Sequence, residues 1–391
     1  MKILFLVGSA EPGKDGVGDY TARLAGAVVS LGHDGRVVAL HDPHGVARID
    51  ATASNSVDPA RLHDRMPWSE RIQALNEIIE SFRPDWVSLQ YVPYAYHPKG
   101  LPLGLLRLPA IARKFPGIRW HLMIHELWAG VGAGDALAKR MAGIPQRAIL
   151  KRIVNGLRIQ CVHYNLPAYG ELMKRRLGII GRPLPLFGNI PVAPGDPARA
   201  RELVDTALTS AGGSPLGKDD RIIPVFGVAK PHWPFESFAT ILGDVLEARG
   251  ERAVVVFIGR GQDAFRRWFE QGATPPHPCV RVAQTGFLSE SDISRLFQIS
   301  AFGISVVSLA MVCKSGVVAA MKDHGLNVLV LRDDVRIRGI LEHPARPDGV
   351  HTPDEVRERF DAICQSHPPE ESLPRIAQRF LEDLEASAST S

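Results

Sequence analysis

The sequence predicts an α/β protein of two consecutive domains, each with a parallel β-sheet covered by helices. A chain of 391 residues is too long for one ordinary domain and long enough for two. Short, continuously apolar runs, which predict doubly covered strands, alternate with longer runs of helical periodicity. The alternation forms one series ending at Val162 and a second beginning at Arg221, with a proline-rich stretch between them.

Composition excludes several classes of protein. Hydrophobic residues make up 45% and charged residues 23%, the ordinary globular range. A net charge of +4 is too small to indicate a nucleic-acid partner. We find no apolar run of membrane-spanning length, and Ile3–Val7 is too short for a signal peptide. The four dispersed cysteines argue against a disulfide framework or a structural zinc site and favour reduced thiols in a cytoplasmic protein.

The first series opens with a βαβ unit. Ile3–Val7 predicts a buried strand, Gly8–Gly18 a loop, Asp19–Leu31 a helix and Arg36–Leu40 a second strand. The series continues with a helix and three strands: Ser69–Phe82, Trp86–Tyr91, Trp120–Ile124 and Leu157–Val162. Five prolines between Pro183 and Pro197 then suit an interdomain linker.

The second series repeats the alternation. Its predicted strands are Arg221–Phe226, Ala253–Ile258, Val280–Ala283, Phe302–Ser305 and Asn327–Leu331. Its predicted helices are Phe235–Arg249, Glu290–Ser300, Ser315–His324 and, last, Pro374–Ala386. The two series together predict two Rossmann-like domains, residues 1–190 and 191–391. The last helix is expected to pack back on the first domain.

Four segments resemble family 4 retaining glycosyltransferases of GT-B fold. "GVGDYTARLAGAVVSLGH" is similar to their first loop and helix, and "VVVFIGRGQD" to the strand and glycine turn of their second domain. "TGFLSESDISRLFQISAFGISV" and "KSGVVAAMKDHGLNVLVL" are similar to the segments before and after their nucleotide site. The resemblance implies a GT-B arrangement of the two domains, with the reaction in the interdomain cleft.

The chain departs from this family at four positions. The two glutamates that usually flank the nucleotide-site helix correspond to Met311 and Ala319, and the usual arginine and lysine to Val228 and Trp233. Donor-binding roles are not transferred to those four residues. The resemblance assigns Gly261, in the glycine turn, to donor binding. Lys230, two residues after Val228, is expected to reach the phosphate site in place of the missing basic residues.

Glycines precede two of the predicted helices. Gly16 and Gly18 end a loop whose backbone can approach a ligand closely, and the helix start after them favours an anion. Their spacing is not the dinucleotide fingerprint, and a flexible turn is the alternative. Lys314, Ser315 and Gly316 begin the second helix: Ser315 can cap it and Lys314 can add a charge for a diphosphate. The alternative there is a capped helix with an incidental lysine.

Polar residues follow two predicted strands. His125 and Glu126 come after Ile124, at a strand end where open α/β sheets bind ligands. By the resemblance, His125 hydrogen-bonds a hydroxyl of the donor sugar, and Glu126 contacts an acceptor or pairs with a basic neighbour. Asp19 is a further acid near the predicted cleft, with a helix-dipole role as the alternative. His163 and Asn165 also follow a strand, where an ordinary turn is slightly favoured.

A basic, partly apolar stretch predicts contact with a membrane surface. Lys139, Arg140, Arg147, Lys151 and Arg152 are interleaved with Met141 and Ile144. Such a surface can lie on anionic lipid headgroups, at the inner face of the membrane, and a solvated helix face is the alternative.

The resemblance implies a metal-independent transfer, with retention, from a nucleoside-diphosphate sugar to a glycan or a lipid-linked acceptor. No cofactor and no metal site are expected. A sugar-nucleotide epimerase of the same fold, or a degenerate binding protein without turnover, remain the alternatives.

Overall fold

The computed structural model describes residues 1–45, 59–210, 212–228, 233–259, 277–340 and 346–389. The described residues divide into two units. The N-terminal unit takes those within Met1–Pro185, Arg336–Glu342 and Leu373–Ser391. The C-terminal unit takes those within Leu186–Val335 and His343–Ser372.

The N-terminal unit contains a seven-stranded parallel sheet in the order β3-β2-β1-β4-β5-β6-β7. Its strands are β1 (Lys2–Val7), β2 (Asp34–Asp42), β3 (Ala60–His63), β4 (Trp86–Tyr91), β5 (Arg119–Ile124), β6 (Cys161–Tyr164) and β7 (Arg182–Pro183). The helices are α1 (Gly16–Ser30), α2 (Trp68–Phe82), α3 (Pro93–Tyr96), α4 (Leu108–Lys114), α5 (Leu137–Leu157) and α6 (Pro167–Leu177), with a 3-10 turn at Leu103–Arg107.

The C-terminal unit repeats the pattern with six parallel strands in the order β10-β9-β8-β11-β12-β13. Its strands are β8 (Arg221–Phe226), β9 (Ala253–Ile258), β10 (Val280–Gly286), β11 (Gly303–Ser308), β12 (Val328–Arg332) and β13 (Val350–His351). Its helices are α7 (Pro197–Ser210), α8 (Phe235–Arg249), α9 (Glu290–Gln298), α10 (Gly316–Asp323) and α11 (Val356–Ile363), with 3-10 turns at Leu309–Lys314 and Pro353–Glu355.

Both strand orders are those of the doubly wound Rossmann fold, in which the order reverses beside the first strand. The reversal lies between β1 and β4 in the N-terminal unit and between β8 and β11 in the C-terminal unit. Because open α/β sheets bind ligands outside the carboxyl ends of the strands at this point, each unit has one expected ligand position.

Strands β1 and β9 are apolar along their buried length because helices cover both faces of each sheet. Residues Ile3 to Leu6 of β1 and Ala253 to Phe257 of β9 are fully buried. Trp233 is buried as well, and its ring stacks on that of Phe235 with centroids 5.7 Å apart. Trp233, which the resemblance aligns with a lysine, is therefore a core residue.

The last helix, α12 (Leu373–Ala388), belongs to the N-terminal unit, where it contacts α1 and β6. Its buried face is Ile376, Ala377, Phe380, Leu381 and Leu384, at helical spacing. The ring of Phe380 lies 5.9 Å from that of Phe5 in β1, between centroids.

The proline-rich stretch expected to be a linker is partly strand. Arg182 and Pro183 pair with His163 and Tyr164 and add β7 to the edge of the first sheet. An edge strand tolerates proline, because only one side of the strand must donate to a neighbour. Beyond it, Gly188 donates its backbone N–H to Asp323 at 3.0 Å, within the C-terminal unit.

Candidate functional site

The loop after β1 brings α1 close to the switch point of the N-terminal unit. Gly18 lies so near this loop that a Cβ atom there would stand 2.6 Å from the carbonyl oxygen of Ser9. A Cβ on Gly8 would stand 2.5 Å from that of Ala95, which follows β4. Among the described residues, Gly16 has open space around it: beyond its own helix backbone and chain neighbours, no atom lies within 4 Å of an added Cβ. Packing therefore requires glycine at positions 8 and 18 and leaves room for a ligand at position 16.

The start of α1 already holds an anion from the chain itself. Asp15 is the N-cap, and its Oδ1 accepts hydrogen bonds from Val17 N at 2.8 Å and Gly18 N at 2.9 Å. Asp19 Oδ1 accepts from Gly13 N at 3.1 Å and so closes the glycine turn. A phosphate contact at Gly18 N–H would require Asp15 to rotate away, and Asp19 has the structural contact typical of a helix first turn.

His125 lies at the carboxyl end of β5, where the sequence places it. It is buried, and its backbone N–H donates to Tyr91 O at 3.1 Å. The imidazole Nε2 lies 2.8 Å from Gln90 Oε1, and the ring meets Tyr20 of α1 edge-on, with centroids 4.9 Å apart. Burial raises the pKa of Tyr20 far above its usual value, so this side chain stays a neutral phenol. His125 is thus held rigidly beside the first turns of α1.

Glu126 follows His125 and is half-buried. Its backbone N–H donates to Tyr91 O at 3.3 Å, the same carbonyl that accepts from His125. The two consecutive amides therefore pin this strand end to β4. The position of Glu126 is compatible with the acceptor role expected for it.

The second group of predicted residues lies at the switch point of the C-terminal unit. Lys314 ends the 3-10 turn after β11, and Ser315 is the N-cap of α10. Ser315 Oγ accepts from Val318 N at 3.3 Å, which confirms the predicted cap. A Cβ on Gly316 would make only ordinary contact, 3.6 Å from Asn189 Cγ. Packing does not demand glycine here, whereas close approach of a ligand to the backbone would.

Gly227 is a residue of this switch point that the sequence analysis missed. It follows β8, has φ of +111°, and a Cβ there would lie 3.0 Å from Val306 of β11. Its position directly after a predicted strand was the available signal. Lys230 and Gly261, which the sequence assigns to donor binding, lie outside the described residues.

A cavity of about 430 Å³ opens in the same unit. It is lined by the carboxyl end of β12, by Leu309 and by residues around the 3-10 turn Pro353–Glu355. Arg346 in its wall is held by Glu355 and Thr352, at 2.6 and 3.2 Å. The cavity adjoins the segment that carries Lys314.

The predicted basic stretch lies on α5. Leu137, Met141 and Ile144, at helical spacing, are exposed by 66, 57 and 47%. Arg140 and Lys151 fall on the same exposed face. Lys139 pairs with Asp135 at 2.7 Å, and Arg147 lies over the ring of Trp128. Within the described residues, none of the helices is both long and apolar enough to cross a membrane.

Comparison with known proteins gives a family match over part of the chain and a fold for nearly all of it. Residues 15–185 match the family described as glycosyl transferase 4-like domain. No curated protein matches the sequence.

Solved structures share the fold over nearly the whole chain. The catalytic domain of starch synthase IV from Arabidopsis thaliana, bound to ADP and acarbose, has 13% identity and a TM-score of 0.56, over 100% of this chain and 99% of that one. A glycosyltransferase from Rickettsia africae has 12% identity and a TM-score of 0.54, over 100% and 99%. A UDP-GlcNAc 2-epimerase from Methanocaldococcus jannaschii has 10% identity and a TM-score of 0.51, over 99% and 100%. At such identities the likeness shows the fold alone. It confirms the α/β class with two Rossmann-like domains and, with the family match, the resemblance to GT-B glycosyltransferases.

Proposed function

Because residues 15–185 match the family described as glycosyl transferase 4-like domain, we propose that this chain is a glycosyltransferase that uses a nucleoside-diphosphate sugar. The observation that carries the proposal is the placement of polar groups at the carboxyl ends of strands at or next to each switch point. His125 is fixed at the end of β5 in one unit, and Lys314 stands before a capped helix start in the other. These are the positions at which doubly wound sheets bind ligands.

The diphosphate is proposed to bind at the start of α10. The first amides of a helix have no intrahelical acceptor, and here they belong to Gly316 and Val317, after the Ser315 cap. These amides and the Lys314 ammonium would stabilise the charge that the leaving diphosphate gains as the glycosidic bond breaks. Such fixed groups are more effective in the transition state than in the ground state, because the charge is larger there. The transfer is proposed to proceed without a metal ion.

The sugar is proposed to lie against His125, with an imidazole nitrogen hydrogen-bonded to one of its hydroxyls. Glu126 is proposed to contact the acceptor. We further propose that the anomeric configuration is retained, as in the family that the sequence resembles. Gly16, with open space around it, is the residue of the N-terminal loop best suited to close approach of the ligand.

The acceptor is proposed to be a glycan or a lipid-linked intermediate reached from the membrane surface. The exposed apolar residues of α5 share a face with Arg140 and Lys151. Such a face inserts shallowly between headgroups while its cations meet anionic lipid. It would place the N-terminal unit at the inner face of the membrane, as a peripheral contact.

A mass-spectrometric transfer assay tests the proposal. The protein is incubated with a pool of nucleoside-diphosphate sugars and an extract of glycan and lipid-linked acceptors. We expect an acceptor product heavier by one sugar residue together with free nucleoside diphosphate. Interconversion of the donor without any acceptor product would instead support an epimerase. The UDP-GlcNAc 2-epimerase described above shares the fold of this chain. Binding of the donor with neither product would support a degenerate protein, as Met311 and Ala319 at the family's glutamate positions suggest.

A further inference from the structure

A row of polar side chains runs through the buried interior of the N-terminal unit. Ser88 and Gln90 of β4, His121 of β5 and His163 of β6 lie on neighbouring parallel strands, and each is at most 1% exposed. Buried polar groups are costly unless each one is hydrogen-bonded, so such a row needs a complete set of partners. The ring of Phe380 covers the middle of the row, 5.1 Å from that of His121 between centroids.

The row forms one continuous hydrogen-bonded chain that begins at His125. His125 Nε2 lies 2.8 Å from Gln90 Oε1, and Gln90 Nε2 lies 2.7 Å from Ser88 Oγ. Ser88 Oγ is in turn 2.8 Å from His121 Nδ1. From there His121 Nε2 lies 3.0 Å from His163 Nδ1.

The chain ends on a carboxylate from α12. His163 Nε2 lies 3.0 Å from Asp383 Oδ2, and Arg182 donates to Asp383 Oδ1 at 2.6 Å. The hydrogen bond from His163, together with Arg182, holds the pKa of Asp383 at about 2, so this end of the chain accepts hydrogen bonds and donates none.

This single anion fixes the direction of every link. Since Asp383 only accepts, His163 must carry its hydrogen on Nε2 and accept at Nδ1. His121 must then donate from Nε2 and accept at Nδ1 from the Ser88 hydroxyl. Burial lowers the pKa of both histidines, that of His121 strongly, which keeps each ring neutral with one N–H.

The same logic reaches His125. Ser88 has one hydroxyl hydrogen, which goes to His121, so Ser88 accepts from the amide nitrogen of Gln90. The amide oxygen of Gln90 therefore faces His125 and accepts from Nε2–H. In the neutral imidazole of His125 the hydrogen is then on Nε2, which makes Nδ1 a hydrogen-bond acceptor.

A metal centre is the other arrangement that this cluster suggests. Ligand atoms of His121, Cys161 and His163 lie within 4.8 Å of one another. However, His121 meets His163 at Nδ1, whereas Cys161 Sγ, at 3.9 Å, and Asp383 both meet it at Nε2. An imidazole ring binds one ion through one nitrogen. Because His121 and Cys161 face opposite nitrogens of His163, the three side chains do not converge on one metal position.

We propose that Asp383 is a positioning residue which, through His163, His121, Ser88 and Gln90, holds His125 as the Nε2–H tautomer. Its consequence rests on the proposed function: His125 receives a hydrogen bond from a sugar hydroxyl at Nδ1 and does not donate one. A residue on the last helix thereby selects which polar group of the sugar His125 can bind.

Histidine nitrogen NMR tests the tautomer without any substrate. NMR spectra of the ring nitrogens are recorded on protein labelled with ¹⁵N only in histidine. Single His→Gln variants assign each signal to its residue. We expect His125, His121 and His163 all to carry the proton on Nε2 in the wild type. In Asp383→Asn the new amide can donate, so the three rings are expected to shift toward the other tautomer. The matched control Glu382→Gln, one residue earlier and exposed, leaves all three spectra unchanged.

Kinetics then connect the tautomer to the proposed reaction. Asp383→Asn is expected to lower kcat/KM by about three- to tenfold, the effect of one neutral hydrogen bond, while Glu382→Gln keeps the wild-type value. Three results would each overturn the inference. The first is a wild-type His125 that carries its proton on Nδ1, and the second is a set of spectra that Asp383→Asn leaves unchanged. The third is a wild-type protein that holds stoichiometric zinc and loses it in Cys161→Ser. The expected spectra in a protein without any transfer activity would uphold the tautomer chain and remove the proposed function.

Discussion

His163 Nε2 and Asp383 Oδ2, 220 positions apart in the chain, are joined by a hydrogen bond of 3.0 Å. The bond connects β6 to the final helix inside the N-terminal unit. That unit is therefore complete only when the end of the chain has folded onto its beginning. Its stability and the environment of His125 depend on the same buried contact.

The first prediction concerns acid stability. Burial lowers the pKa of His121 and His163 in the folded state below the usual 6.5. The unfolded chain then binds more protons, so this stability is fully present above pH 6.5 and is lost as the pH falls toward the folded-state pKa values. We expect the free energy of unfolding in urea to fall between about pH 7 and about pH 5. His121→Gln should flatten that fall, and parallel pH profiles for variant and wild type would contradict the assignment.

The second prediction concerns the approach of α1 to the loop after β1. Gly18→Ala would place a methyl group 2.6 Å from Ser9 O, so the helix must move. We expect a loss of about 1–3 kcal/mol in the free energy of unfolding, measured by urea denaturation. Gly16→Ala is the matched control, since that Cβ meets no atom of the described residues within 4 Å outside its own helix backbone and chain neighbours. Equal stability of the two variants would refute the close contact.

The third prediction concerns the diphosphate. Lys314→Ala is expected to weaken the binding of nucleoside diphosphate at least tenfold, or about 1.4 kcal/mol, because one full charge is removed beside the helix start. Isothermal titration calorimetry measures this directly. Lys322→Ala, on an exposed position in the last turn of the same helix, should bind as the wild type does. An unchanged affinity in Lys314→Ala would exclude the lysine from the site.

The fourth prediction concerns membrane contact. Met141→Glu is expected to reduce binding to vesicles of anionic phospholipid at least about tenfold, since each buried methylene contributes about 0.8 kcal/mol. Co-sedimentation with vesicles gives the bound fraction. Ile180→Glu changes an exposed apolar residue of the same unit away from α5 and should bind normally. Equal losses in both variants, or no binding by the wild type, would argue against the α5 face.

Much of the fold could be predicted from the sequence because buried parallel strands are continuously apolar. The ranges of β8, β9 and α8 were predicted to the residue, and Ser315 was recognised as a cap from its side chain and position. The strand β7 was missed, since two residues next to prolines carry no periodic pattern. Helix α7 was also missed, because it follows directly on the prolines taken for a linker.

The contacts around the candidate site were harder to predict than the residues that form it. His125 was found from its place after a strand, but the chain of hydrogen bonds that holds it was not. His121 and His163 meet only because β5 and β6 are neighbours, and Asp383 reaches them only because α12 returns to the first sheet. The capping of α1 by Asp15 was likewise missed, although an aspartate before a helix is a recognised cap signal.

Thermal unfolding of the wild-type protein with a panel of nucleoside diphosphates and their sugars tests the central claim most directly. We predict that one nucleoside-diphosphate sugar stabilises the protein by about 2.7 kcal/mol at one hundred times its dissociation constant. The corresponding nucleoside diphosphate should stabilise as well, because the anion is proposed to supply much of the binding. No stabilisation by any member of the panel, at concentrations up to the millimolar range, would contradict the proposal that this chain uses a sugar nucleotide.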